Sequence, residues 1–243
     1  MQTMIRIMLA IVVSVVATFL GVVVAPARAD TTVNSNADLL NSPTAMQYVF
    51  SREAMLVMYQ LGVEQDKKFN LQPDCKQTYR VKPIGTVVVK PFAVPDDGRQ
   101  NPRTGVWLTR YQLERCGESK TYNALFVANP QGGKPVPKAF YPGNGAAGPV
   151  LIQDAVMTAA AMALARAGLK ECKNADVFDM RIKRPAHDVV ENGKTIRGVW
   201  EETWTFRACG RMVDIDMNFL PDADGGGTSF HTGAVKLQPI AAE

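Results

Sequence analysis

The chain predicts an α+β fold of two tandem repeats, each with one helix packed on an antiparallel meander of three to four strands and one disulfide. Three observations predict it. A set of unlike residues recurs in a single register, four cysteines fall into two similarly spaced pairs, and helical periodicity precedes strand periodicity in each half.

The recurrence carries most weight. Gly105-Val106-Trp107 returns as Gly198-Val199-Trp200, an offset of 93 residues. Cys116-Gly117 returns as Cys209-Gly210, Phe126 as Phe219 and Gly132-Gly133 as Gly225-Gly226 at that same offset, and Tyr111 falls on Trp204. Single glycines coincide by chance, whereas a Trp, a Cys-Gly, a Phe and a Gly-Gly in one ungapped register mark two copies of one unit.

Ahead of both copies lies a leader. Arg6 is followed by an uncharged run of Val, Ile, Leu and Ala from Ile7 to Ala25, then by Ala27-Arg28-Ala29, a small-x-small cleavage pattern. Residues 1–29 read as a signal peptide, with Asp30 as the mature N-terminus. An uncleaved segment would serve as a membrane anchor, the one membrane contact expected. Removal of Arg6 and Arg28 takes Lys+Arg from 27 to 25 against 23 acids, a net charge of +2. That balance argues against nucleic-acid binding.

Repeat one spans 30–128. Ser42 is an N-cap with Pro43 at N1, and Met46, Val49, Phe50, Ala54, Val57 and Leu61 follow at helical spacing, with Gly62 as the stop. Strand signals follow at 86–89, 106–116 and 120–127, with Asp96-Asp97-Gly98 as a turn. A Pro- and Gly-rich stretch, 129–148, reads as a linker.

Repeat two spans 149–243. Its helix opens at Pro149, carries Asp154 in its first turn, and ends at Gly168 after Arg166. Strands are expected at 177–183, 199–209 and 211–220, with Asn192-Gly193 as a turn. In the last, Val213, Ile215, Met217 and Phe219 alternate with Asp214, Asp216 and Asn218, which marks a strand with one wet face. The predicted layout resembles cystatin-like folds, where a sheet wraps a helix, a likeness of topology that implies no activity.

Four cysteines in an exported chain read as disulfides, with three possible pairings. If each repeat holds its own bridge, these are Cys75–Cys116 and Cys172–Cys209, with separations of 41 and 37 residues. No spacing matches a zinc site, His187 and His231 are isolated, and no catalytic, cofactor or metal set is expected. Asp222-Ala223-Asp224-Gly225 opens like a calcium loop but lacks the later acidic ligand. Met46, Met55 and Met58 read as core packing rather than copper ligands.

Trp107, Trp200 and Trp204 read as core residues under the helix rather than stacking platforms. Glu201, Glu202, Asp214 and Asp216 form an acidic cluster on adjacent predicted strands. Its counterparts in repeat one are Leu108, Thr109, Thr121 and Asn123, so the acids are no part of the shared unit. Glu201, Asp214 and Asp216 are retained as a candidate binding surface.

The expected function is that of a non-enzymatic binding or interaction protein of a bacterial-type cell envelope, periplasmic or secreted. Its partner would be an envelope protein, a polymer or a small apolar ligand. Two rivals stand beside it. One is a secreted hydrolase using the acidic cluster, and the other is a structural subunit of an envelope assembly.

Overall fold

The computed structural model describes residues 31–94, 101–191 and 193–239. The predicted signal segment, Asp30, the turn at Asp96-Asp97-Gly98 and Asn192 lie outside the described residues.

Serine caps set the helices of the first half. Ser35 opens α1 (Asn36–Leu40) through a capping box with Asp38. Ser42 opens α2 (Pro43–Val49), its hydroxyl accepting the Ala45 N–H at 3.1 Å, and Pro43 sits at the start as expected. One continuous helix ending at Gly62 was the sequence expectation, and both parts need correction. Ser51 accepts the Ala54 N–H at 3.3 Å and opens a separate helix, α3 (Arg52–Lys68), which runs through Gly62. Gly62 lies inside α3 because a Cβ there would meet Leu113 Cδ2 at 3.0 Å and the Tyr111 ring at 3.3 Å. It permits close packing on the sheet rather than termination.

In the second half, α4 (Pro149–Arg166) begins at Pro149 and hands over to Gly168, whose φ is +72°. Asp154 lies in its second turn rather than its first. Ile152, Ala155, Val156, Ala159 and Ala163 are buried, and the small side chains let the helix lie close to its sheet. Among the described residues no helix is long and apolar enough to cross a membrane.

Two four-stranded antiparallel sheets complete the fold. The first holds β2 (Arg80–Lys90), β4 (Val106–Arg115), β5 (Glu118–Val127) and β6 (Val136–Phe140), in the order β2-β4-β5-β6. Between β2 and β4, the short β3 (Phe92–Val94) leaves the sheet to pair with β1 (Thr31–Val33). The second sheet holds β7 (Asp176–Glu191), β8 (Lys194–Ala208), β9 (Arg211–Pro221) and β10 (Thr228–Leu237), in the order β10-β9-β8-β7. Strand β6 falls within the segment read as a linker, where Pro137 weakens the strand signal and only tertiary pairing with β5 recruits it.

The β4–β5 hairpin turns on Cys116-Gly117, with φ of 44° and 81°, and the β8–β9 hairpin turns on Cys209-Gly210, with φ of 48° and 74°. Two successive positive φ values suit the right-handed twist of the flanking strands. Cys75 is bonded to Cys116 and Cys172 to Cys209, with Cα atoms 5.9 Å apart in each. Each bridge ties the segment after a helix, α3 or α4, to the tip of the hairpin that the helix covers.

Alternation along the strands assigns the faces. Trp107, Tyr111 and Leu113 of β4 and Tyr122 and Phe126 of β5 form a core with Leu39, Val49 and Met58. Trp204, Phe206, Val213, Ile215, Met217 and Phe219 form another with α4. Leu108 and Phe140, from the opposite face of the first sheet, also pack into that second core. The two halves therefore share apolar contacts around α4.

Candidate ligand-binding site

The sequence-derived acidic surface divides in two. Glu201, Asp214 and Asp216 share the face of the second sheet opposite α4, where β8 and β9 pair Thr203 with Asp216 and Thr205 with Asp214. Asp216 accepts from Lys183 Nζ at 2.6 Å and from the Thr203 hydroxyl at 3.0 Å. Asp214 accepts from the Thr205 hydroxyl at 2.6 Å and from Gln238 Nε2 at 3.0 Å, with Arg181 Nη2 at 3.7 Å. Glu201 lies 3.6 Å from Lys183 and 3.9 Å from Arg184. The hydrogen bond that Lys183 donates to Asp216 pushes its ammonium above the usual lysine range. This is a ladder of alternating charges along one wet face. Among the described residues no three acids, histidines or cysteines gather in a way that could hold a metal ion.

Glu202 faces the other way and is fully buried. Its Oε1 accepts the N–H groups of Ala146 and Ala147, each at 2.7 Å, and Trp200 Nε1 at 2.9 Å. Its Oε2 accepts Trp204 Nε1 at 2.7 Å. Four donors on one carboxylate satisfy a charge that would otherwise be prohibitive to bury. From the first sheet, Arg110 Nη2 donates to the Gly145 carbonyl at 2.8 Å, and Asn123 Nδ2 donates to the carbonyls of Tyr141 and Gly143 at 2.7 and 2.9 Å. The Gly143 N–H reaches Thr121 O at 3.0 Å and the Asn144 N–H reaches Met180 O at 2.8 Å. Segment 141–147 is thus stitched to both sheets at once. The sequence grouped Glu202 with the exposed acids, yet it alternates in step with Trp200 and Trp204, a period-two signal that assigns it to the core face.

A second buried charge was missed altogether. Asp66 of α3 pairs with Arg115 Nε of β4 and accepts from the Tyr122 hydroxyl of β5, and the Asp66 and Arg115 side chains are both almost wholly buried. Burial pushes the Asp66 carboxyl above the usual aspartate range, against the opposing pull of Tyr122 and Arg115. Its sequence signal was positional: Met58, Gly62 and Asp66 recur every four residues on the buried side of α3.

Between the halves lies a groove of about 540 Å³. The first half contributes Gln65 and Lys68 from the end of α3, Leu125 of β5, and Lys138 and Phe140 of β6. The second contributes Val156, Met157 and Ala160 of α4, with Asp176 and Val177 of β7. Leu125 and Lys138 are cross-strand partners, so they share the face of the first sheet that looks toward α4. The sequence reading assigns none of these residues to a site, because their meeting depends on how the halves dock. Lys68 Nζ and Asp176 Oδ1 are 2.7 Å apart across that junction, and the Phe69 and Phe178 rings meet edge to face at 5.2 Å.

A smaller cavity of about 310 Å³ lies within the first half over Trp107 and Phe126, beside Tyr48 and Asn101. Its polar groups answer one another: the Tyr48 hydroxyl donates to Asn101 Oδ1 at 3.0 Å. Trp107 stacks on Phe126 with ring centroids 5.6 Å apart and is itself buried.

No known protein family, curated protein or solved structure matches this chain.

Proposed function

We propose that this chain is a non-enzymatic binding protein of an oxidising compartment outside the cytoplasm, built from two copies of one unit, which holds a small apolar ligand in the groove between them. The groove carries the proposal. Its volume lies within the range of about 300–1,000 Å³ typical of small-molecule sites, and its walls mix apolar side chains with a few polar groups.

Duplication is supported by matching geometry at the offset of 93 residues. Trp107 pairs with Phe126 across β4 and β5, and Trp200 pairs with Phe219 across β8 and β9. Both pairs stack, with interplanar angles of 9° and 12°. The two sheet orders also correspond strand for strand, with β2, β4, β5 and β6 matching β7, β8, β9 and β10. Two similar units docked on each other offer one site at their junction. Two disulfides support the oxidising compartment, and the leader at 1–29 supports export through a cleaved signal peptide. The charge ladder around Asp214 and Asp216 supports a non-catalytic reading, because its carboxylates are engaged by neighbouring cations and hydroxyls.

The test uses the neutral fluorophore N-phenyl-1-naphthylamine. Saturable binding at one site should be weakened at least about tenfold by Ala160→Trp, which fills the groove, and by Met157→Asp, which changes only an exposed rim residue. Absence of saturable binding, or binding indifferent to both variants, refutes the proposal.

A further inference from the structure

We infer that the ligand of this groove is a single-chain amphiphile with an anionic head, its chain against the apolar floor and its head against Lys138; this rests on the groove being the binding site. The floor is built from Leu125, Phe140 and Val156, which are apolar and belong to both halves. Met157 stands at the rim with 76% of its surface exposed. An exposed, unbranched thioether beside an apolar trough suits a flexible chain, because it can repack along any length of it.

Charge at the rim selects the head. Lys68 and Lys138 line the groove with Asp176 as its acidic residue. Lys68 is held by Asp176, whereas Lys138 is exposed and has no ion-pair or hydrogen-bond partner among the described residues. Lys138 lies directly across from Leu125 in the β5–β6 register, and Phe140 follows two residues later on that same face. A chain lying on Leu125 and Phe140 therefore brings its end within reach of a free ammonium. A cationic head would meet Lys138 with like charge, and a neutral head would leave the ammonium unused. Carboxylate and phosphate monoester share the required chemistry.

Displacement of N-phenyl-1-naphthylamine separates the possibilities. Dodecanoate, dodecyl phosphate and methyl dodecanoate are compared on the wild-type chain and on Lys138→Gln and Lys138→Arg. Both anions should displace the probe at concentrations at least about fivefold below that of the ester. Lys138→Gln should abolish that advantage and Lys138→Arg should retain it, with the melting temperature unchanged. Preference for dodecanoate alone, or for dodecyl phosphate alone, identifies the head and upholds the inference. Equal potency of acid, phosphate and ester, or an advantage that survives Lys138→Gln, overturns the anionic head while leaving the groove as an apolar site. Failure of all three to displace a probe that does bind overturns the chain-like ligand. Failure of the probe itself to bind overturns the groove.

Discussion

Glu202 lies so close beneath Gly145 that a Cβ at position 145 would run into its carboxylate. The contact joins β8 to the segment that bridges the two sheets, and the Glu202 carboxylate takes the next two backbone N–H groups, those of Ala146 and Ala147. A buried anion and a missing side chain are here one device.

Removing either half of that device should loosen the junction. Glu202→Ala strands two backbone N–H groups and two indole N–H groups, and should destabilise the chain by about 3–5 kcal/mol in chemical denaturation. Glu202→Gln turns one acceptor oxygen into a donor facing donors and should cost about 1–3 kcal/mol. Gly145→Ala should cost at least about 1 kcal/mol by displacing the loop. A neutral Gly145→Ala would show that the segment yields freely and that Glu202 does not anchor it.

Asp66 should leave a signature in the pH dependence. Its folded pKa is raised by burial, so the native state holds the proton more tightly than the unfolded chain, whose aspartates titrate near about 3.9. Stability from this group is therefore fullest below the unfolded value and declines as pH rises through the folded one. Asp66→Asn removes that titration. The unfolding free energy of the wild type relative to Asp66→Asn should fall as pH rises above about 4, where unfolded aspartate loses its proton. A relative stability that climbs over this range would show that pairing with Arg115 outweighs burial.

The charge ladder should be nearly silent. Lys183 and Arg181 remain about half exposed, so water screens their pairs with Asp216 and Asp214. Asp214→Asn with Asp216→Asn should shift stability by no more than about 1 kcal/mol in total. Calcium should leave the wild-type melting temperature in place, since a cation bound only by the native state must raise it. A calcium-dependent rise abolished by the double variant would make this face a metal site.

Legibility in the sequence followed the range of the physics involved. Period-two alternation assigned Val213, Ile215, Met217 and Phe219 to the core, and all four are buried there. Trp107 and Trp204 are buried as their strand positions implied, whereas Trp200 keeps partial exposure and spends its N–H on Glu202. Helix starts were legible where a cap is chemically distinctive, as at Ser42 and Pro43. The break at Ser51 was hidden by the apolar spacing that continues across it.

Local sequence carries the antiparallel α+β character and the strands around each Cys-Gly turn, whereas the bridges Cys75–Cys116 and Cys172–Cys209 follow from it only on the condition that each repeat holds its own pair. Backbone periodicity and turn chemistry act over a few residues, and the residues that obey them are adjacent in the chain. The tertiary structure alone decided that Gly62 serves packing on Tyr111 and Leu113, that Pro137 enters a strand, and that Glu202 is a buried anchor rather than part of the acidic face. It alone brought Lys138 opposite Leu125 and both beside α4 to form the groove. Those outcomes depend on which apolar faces bury each other at long range, and one-dimensional spacing holds no term for that.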